Sequence, residues 1–596
     1  AENTAVGRLA LNANSTADGN TALGSTSLYS NSTGTQNTAA GRSALLLNTT
    51  GSYNAAFGVQ ALNSNTTASN NTAVGYQAGY SNTTNTNRVY VGYQAGYAGS
   101  ATVAVGYLAG YSDANGASTC VGYAAGANYN SSTEDVGSVF VGFYAGNGVS
   151  TAANNTFVGG YSGRLTTGGS NSALGGGTLF SNTSGAYNAA FGKDALRNNT
   201  TAPNNTAVGY TALYSNTTGE QNVAVGSGAM YSNQTGVNAT AVGYYALNAN
   251  TATGNTAVGA RAVQANTSGT YNSGFGGLAL YSTTTGAYNT ATGYEALRNN
   301  TTASQNTAVG YQALYSNTAG ANQLVAVGYQ AGYSFAGSYG YSVFIGGTAG
   351  YLSTGYGNTF VGCNSNTGHG SGYSMTSGTN NTIIGGFSGN QGGLNITTSS
   401  NYIVLSDGDG NPRIWTDNVG SSQMVNNAAN FTLALTNQNA SPYGEYVYFD
   451  SAAPNNTTNW FIRCRDNTAN RFYVFSNGTC QNATGTYTTI SDAKLKENVV
   501  DASSQLDRVN QLRVVNYNLI GDELKQIGFV AQEMEQVYPG LVFETPDTDE
   551  ENNDLGTTTK SIKLTVLIPI LVKAIQEQQE QINQLKAEVA ALKGAK

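Results

Sequence analysis

Apolar and polar positions along the first four hundred residues recur with a fixed period, not with the 3.6-residue stripe of a helix. The segment Asn-Thr-Ala-Val-Gly-Tyr-Gln-Ala-Leu returns again and again with modest variation. Its central glycine falls at Gly7, Gly24, Gly41, Gly58, Gly75 and Gly92, each 17 residues from the last. Less regular steps lead through Gly106, Gly122, Gly142, Gly159 and Gly175, and the strict spacing resumes at Gly192, Gly209, Gly226 and Gly243. Gly259, Gly276, Gly293, Gly310, Gly328, Gly346, Gly362 and Gly385 complete 23 anchors. The residue before each anchor is usually apolar, as at Val6, Phe57, Val74, Val208 and Ile345. Four residues after the anchor stands Leu (Leu45, Leu62, Leu196) or Gly (Gly79, Gly96). Tyr-Ser-Asn-Thr-Thr-Gly and its relatives supply turn chemistry between units. The pattern predicts two short β segments and two turns per repeat, the rung of a parallel β-solenoid. A 34-residue helical repeat fails for want of an apolar helical stripe.

A rung of this length has a perimeter of roughly 56 Å, and 23 rungs stack to a rod of order 110 Å. An alanine-rich roll of that girth has a thin core. Three rolls side by side would thicken it, so a homotrimer is expected, with small residues permitting close approach at the shared axis. The repeats resemble the head repeats of trimeric adhesins of the YadA type, which form left-handed parallel β-rolls. Those repeats are shorter, and those adhesins end in a membrane β-barrel that this sequence lacks.

Composition sharpens this picture. Only 9% of the 596 residues are charged, with 77 Gly and 40 Tyr against 7 Pro and 1 His. Low charge with abundant aromatics argues against disorder. The net charge of −8 makes nucleic acid or an anionic membrane an unexpected partner. No apolar run is long enough for a membrane span. Ala-Glu-Asn-Thr at the start has no charged and apolar signal segment, so a secretory leader is expected to be absent or already removed. Because residue 1 already lies inside a repeat, a longer shaft or anchoring segment is expected ahead of it. Of the 23 basic and 31 acidic residues, 28 lie between Asp492 and Lys596, so a nearly uncharged body carries a charged tail.

Four segments follow: a repeat shaft over 1–400, a β-rich adaptor or tip over 401–490, a domain core over 491–565 and a terminal helix over 566–596. Strands in the middle segment are expected at Tyr402–Leu405, Phe431–Leu435, Tyr446–Phe449 and Arg471–Phe475. Both tryptophans, Trp415 and Trp460, fall there. Asp407-Gly-Asp409-Gly-Asn411 begins like a calcium loop but has Asn418 where the closing glutamate belongs, so a turn is favoured. His369 has no second histidine to join it at a metal, and an exposed loop is expected. Cys120, Cys363, Cys464 and Cys480 form no metal-ligand pair. They are expected as buried free thiols, with Cys464–Cys480 the one plausible local bridge. No cofactor or metal is expected.

The tail carries the most specific motifs. Ile490-Ser491-Asp492-Ala493-Lys494-Leu495-Lys496-Glu497-Asn498 is followed by Val514-Val515-Asn516-Tyr517, Gln526-Ile527-Gly528-Phe529-Val530-Ala531-Gln532-Glu533, Val537-Tyr538-Pro539-Gly540 and Ile568-Pro569-Ile570-Leu571. This order resembles the intramolecular chaperone at the C-terminus of phage endosialidases and of many tail fibres and spikes. One departure is Leu564, where the resemblance leads one to expect tyrosine. The resemblance implies a domain that trimerises, templates the β-rich fibre before it and then cuts itself off. Carried over, the dyad is Ser491 with Lys496 and the bond cut is Ser491–Asp492. A lysine acts as base only after losing its proton, so burial or a neighbouring cation such as Lys494 has to disfavour its charge. The plainer reading is that Ser491 merely opens a helix beside Asp492. Ile568, Leu571, Ile575, Gln578, Ile582, Leu585, Val589 and Leu592 step by three and four, a heptad seam. β-Branched residues at a with Leu at d lean towards two strands, whereas the resemblance implies three. Gln578 then serves as a polar layer that fixes register.

The fold class expected is thus mainly β: a trimeric parallel β-solenoid, then a small β domain and an α+β chaperone domain ending in a coiled coil. The function expected is a phage tail fibre on the virion, or a related bacterial surface fibre, that binds a host-surface glycan or protein. A polysaccharide-degrading spike would need paired carboxylates, and the roll has few acids, among them Asp113, Glu134, Asp135, Asp194, Glu220 and Glu295. An ice-binding solenoid would use the Thr column Thr4, Thr21, Thr38, Thr72, Thr206, Thr256 and Thr307, but Ala or Val interrupts it. Tyrosine ladders such as Tyr76, Tyr93, Tyr107 and Tyr123 could stack on sugars, although core or inter-chain packing is favoured. The many Asn-x-Ser/Thr matches follow from the repeat and do not argue for glycosylation.

Overall fold

A computed structural model describes residues 2–113, 117–130, 137–318, 320–424, 460–465, 470–475, 479–483, 491–520, 523, 525–548 and 554–595. It divides into two compact units, 1–436 and 437–596. The first is mainly β and is built as a parallel solenoid.

Among the described residues, 23 strands of three residues each, from Thr4–Val6 to Thr382–Ile384, stack one per repeat. Pairing is parallel and in register, so Thr4, Ala5 and Val6 face Thr21, Ala22 and Leu23. Among the described residues the expected second β segment is absent. On that side the backbone alternates into left-handed conformations, with φ of 58° at Gln60 and 46° at Leu62, which no extended strand can hold. Hydrogen bonds still bridge rung to rung there: Leu45 N donates to Ala61 O at 3.0 Å and Leu62 N to Ala78 O at 2.9 Å.

Each anchor glycine has two reasons to be glycine. Gly58 sits at φ 138°, and a Cβ there would run into the carbonyl of Gly75 in the next rung. Inside, the strand's middle Ala and the Leu four residues after the anchor form the core, as Ala56 and Leu62 do. Where a bulky ring replaces the Ala, Gly replaces the Leu. Tyr90 lies against Gly79 and Gly96, Phe140 against Gly126 and Gly146, Phe157 against Gly163 and Phe360 against Gly372. Core volume is thereby conserved from rung to rung.

Two buried asparagine columns complete the interior. Asn37 donates its backbone N–H to Asn20 Oδ1 at 2.9 Å and its carboxamide to Gly51 O at 2.9 Å. Asn48 and Asn65 each donate to the preceding column member at 2.7 Å. The repeated Asn-x-Thr is therefore an internal hydrogen-bonding device.

The flanking strand residues face outward. Leu23, Phe57, Val74, Leu174, Phe191 and Val208 are exposed along one side of the roll. The tyrosines Tyr76, Tyr93, Tyr107 and Tyr123 are not in the roll's core either. They are less than half exposed and stack face to face at 4.9–5.2 Å, the spacing of the rungs.

The ladder extends into Ile403–Ser406, which pairs in parallel with Thr382–Ile384, and then turns back antiparallel through Pro412–Thr416. The turn between them is the Asp407 segment, as expected. Asp407 Oδ1 accepts from the backbone of Asp409 at 3.1 Å and Asn411 at 2.8 Å, while Oδ2 pairs with Arg413. Trp415 packs against the roll core. His369 lies exposed on a loop and stacks on Tyr373 at 4.0 Å. Only Cys120 is a buried thiol. Cys363, Cys464 and Cys480 are exposed, and all four are free, so the Cys464–Cys480 bridge does not form.

In the second unit, Trp460–Arg465, Asn470–Phe475 and Cys480–Asn482 form an antiparallel sheet. The strands expected at 431–435 and 446–449 lie outside the described residues. Beyond Ser491, Val515–Tyr517 pairs with Gln526–Gly528, and the short helix Ala531–Val537 leads into the hairpin Val542–Thr548 with Asp554–Ile562. A helix over Leu564–Gly594 closes the chain and includes Pro569. Its heptad residues Ile568, Leu571, Ile575, Ile582, Leu585, Val589 and Leu592 are all exposed, and so is Leu564. No described helix is long and apolar enough to cross a membrane.

Candidate functional site at the head of the C-terminal segment

Ser491 and Lys496 are five residues apart, and the turn between them brings their side chains together. Asp492 caps the one-turn helix Ala493–Leu495, its Oδ1 accepting from Lys494 N at 3.1 Å. The turn returns the chain so that Lys496 Nζ donates to Ser491 Oγ at 2.6 Å. The plainer sequence reading and the chemical one therefore coexist: the acid shapes the turn, and the turn assembles the pair. Lys494 does not bear on the dyad as a free cation, because its ammonium lies 3.3 Å from Asp492 Oδ2. Ser491 and Lys496 are both exposed. A hydroxyl in hydrogen-bonding reach of a lysine is the arrangement of a nucleophile with its base, provided the lysine is desolvated.

The same unit holds a small core of Met534, Tyr538, Leu541 and Leu567, flanked by Leu512, Phe529 and Ile570. Tyr538, Phe529 and Ile570 come from the motifs that carry the family resemblance. Tyr538 donates to Gln505 Oε1 at 3.1 Å beneath the Arg508 guanidinium, which stands 4.2 Å from its ring centre. Burial raises the Tyr538 phenol above its ordinary pKa.

Sequence reasoning missed Glu577. From the terminal helix its carboxylate accepts from Leu506 N at 2.9 Å, from Gln505 N at 3.0 Å and from Ser504 Oγ at 2.9 Å. The Leu506 N–H, then that of Gln505, hold this carboxyl below its usual range against the cost of desolvation. Glu577 thus ties the terminal helix to the segment following the dyad. The only hint in sequence is Lys573, one turn earlier, whose ammonium lies 4.0 Å away.

Residues 491–543 match the family described as chaperone of endosialidase. The match opens on Ser491 itself and includes the dyad, the Tyr538–Gln505 contact and the strand pair Val515–Tyr517 with Gln526–Gly528. The C-terminal segment is therefore of intramolecular-chaperone type, joined to a β-solenoid of about 23 turns. No curated protein matches the chain, and no solved structure does.

Proposed function

We propose that this chain is a homotrimeric tail fibre or spike subunit of a bacterial virus, or a related surface fibre, used to attach to a host-surface glycan or protein. Its C-terminal segment folds the solenoid and then separates by cutting at Ser491–Asp492. The observation that carries this reading is the chaperone match, which begins at the serine that Lys496 contacts. Chaperones of this kind serve β-rich fibres, and a repeat solenoid with exposed apolar rows is such a client.

Two surfaces support assembly into trimers. The terminal helix leaves its whole heptad seam exposed, and the roll leaves a row from Leu23 to Val208 uncovered. Apolar rows of that length mark contact surfaces. Assembly would also desolvate the exposed dyad, so cutting follows folding. Once neutral, Lys496 takes the proton of Ser491 Oγ, and the oxygen adds to the carbonyl of the bond to be cut. The C–N bond breaks as that proton passes from Lys496 to the leaving amine, and water hydrolyses the ester that remains. Attack on the carbonyl of Ser491 itself closes a four-membered ring, so cutting Ser491–Asp492 requires strain or a second chain to supply the nucleophile.

A polysaccharide-degrading spike gains no support, because Asp194 and Glu295 are already paired with Arg197 and Arg298. Glu134 and Asp135 lie outside the described residues. For ice binding the Thr column is broken at Ala55, Val89 and Val103. The chaperone role is tested by ending the chain at Ser491. The shortened chain should aggregate or stay unassembled, and its folding into the same fibre would overturn the role.

A further inference from the structure

The residue immediately after an anchor glycine lies at the surface in all rungs but the last, and in several rungs it builds a ladder of rings. Tyr107 stacks on Tyr123 at 4.9 Å and Tyr123 on Phe143 at 5.3 Å. The next ring at this position is Tyr210, and between them stand Gly160, Gly176 and Lys193. The backbone requires neither of these glycines. Neither has a positive φ, and a Cβ would find nothing nearer than 4.0 Å at Gly160 and 3.8 Å at Gly176. Side chains are missing where there is room for them.

The gap is a notch of about 310 Å³ lined by Tyr161, Gly176, Phe180, Lys193, Asp194 and Arg197. The Tyr161 and Phe180 rings form its aromatic wall, 6.2 Å apart. The Arg164 guanidinium lies 5.4 Å from the Tyr161 ring centre and 5.5 Å from that of Phe180, and Arg197 lies 4.9 Å from the latter. Asp194 pairs with Arg197 and is 3.8 Å from Lys193 Nζ. Arg164 has no carboxylate partner among the described residues. Two cations and one carboxylate thus line the notch, and a third cation, Arg164, stacks on both rings of its aromatic wall, in a body that is otherwise almost without charge.

We propose that this notch binds an acidic saccharide, a pyranose that carries a carboxylate. The apolar face of a sugar ring fits an aromatic wall. Arg164 and Lys193 would pair with the carboxylate, and Asp194 would accept from sugar hydroxyls. Two missing rings leave about 10 Å along the roll, the reach of a short oligosaccharide, and the volume lies at the lower end for small-molecule sites. The proposal rests on the attachment reading above and adds its location and ligand class.

The test uses the full chain with digalacturonate and a glucuronate-containing disaccharide as probes, and maltotetraose as the neutral control. Titration calorimetry should show binding of at least one acidic probe and none of maltotetraose. Gly176→Tyr rebuilds the ladder in open space, and Arg164→Ala removes the unpaired cation. Each should weaken binding at least tenfold while circular dichroism is unchanged. Unchanged affinity in both variants, equal binding of the neutral sugar, or no binding of either acidic probe would overturn the site. Adsorption of wild type and Gly176→Tyr to a panel of bacterial cells separates the two claims. Equal adsorption of both overturns the notch and leaves attachment standing. Sugar binding without adsorption to any cell sinks attachment and leaves the notch standing.

Discussion

The backbone N–H of Asn54 is held at 3.0 Å by the side-chain oxygen of Asn37 in the preceding rung. Asn37 also donates to Gly51 O in the same following turn and to Asn20 Oδ1 in the preceding one, so one carboxamide serves both neighbouring turns. Asn37→Ala leaves the buried Asn54 N–H without a partner, at a cost of about 1–3 kcal/mol, while Gly51 O keeps its bond from the Asn48 carboxamide. Because solenoids open rung by rung, the loss should appear locally. Amide exchange of peptides spanning residues 37–57 should accelerate while distant rungs keep their protection. Unchanged exchange there would mean that the column is decorative.

Two glycine substitutions should separate sharply. Gly58→Ala forces a Cβ into the carbonyl of Gly75 at a φ that L residues avoid, and should cost several kcal/mol and fray the adjacent rungs. Gly347→Ala meets nothing within 4 Å and has no positive φ, so its melting curve should superimpose on wild type. Equal effects would contradict the stacking described.

The core exchange between ring and leucine can be made by hand. Gly163→Leu should clash with Phe157, and Phe157→Ala should cost about 3–5 kcal/mol through its cavity. The double variant restores the Ala–Leu pairing used at Ala56 and Leu62, and should recover most of that loss in urea unfolding. Additive losses would show that the two positions do not share a volume.

Much of this fold was legible because period carries it. The glycine spacing located every rung, since each anchor must lie against the next one. The second β segment was misjudged because Leu62 looks like any strand residue, and nothing in its identity reveals a φ of 46°. Core packing of the outward tyrosines was misjudged for a similar reason: which residues face the core is legible only once the strand register is known. At the candidate site, Ser491 and Lys496 were legible through motif resemblance, whereas Glu577 depends on a contact across some 70 residues of chain.

Acid should loosen the terminal helix through Glu577. Its carboxyl is held below the ordinary value in the folded chain, so its contribution is complete above the unfolded carboxylate range and disappears as pH falls through the lowered folded value. Glu577→Gln should weaken the C-terminal unit at neutral pH and flatten that acid dependence, monitored by amide exchange at residues 504–510. A variant with the wild-type acid profile would remove Glu577 from this role.

The central claim, a trimer folded and then cut by its own tail, is tested most directly by native and denaturing mass spectrometry of the full chain beside Ser491→Ala and Lys496→Ala. The account predicts three chains per particle for all of them. In the wild type it predicts a released fragment spanning residues 492–596, and in both variants an uncut chain. One or two chains per particle, or a wild type that stays intact after assembly, would contradict it.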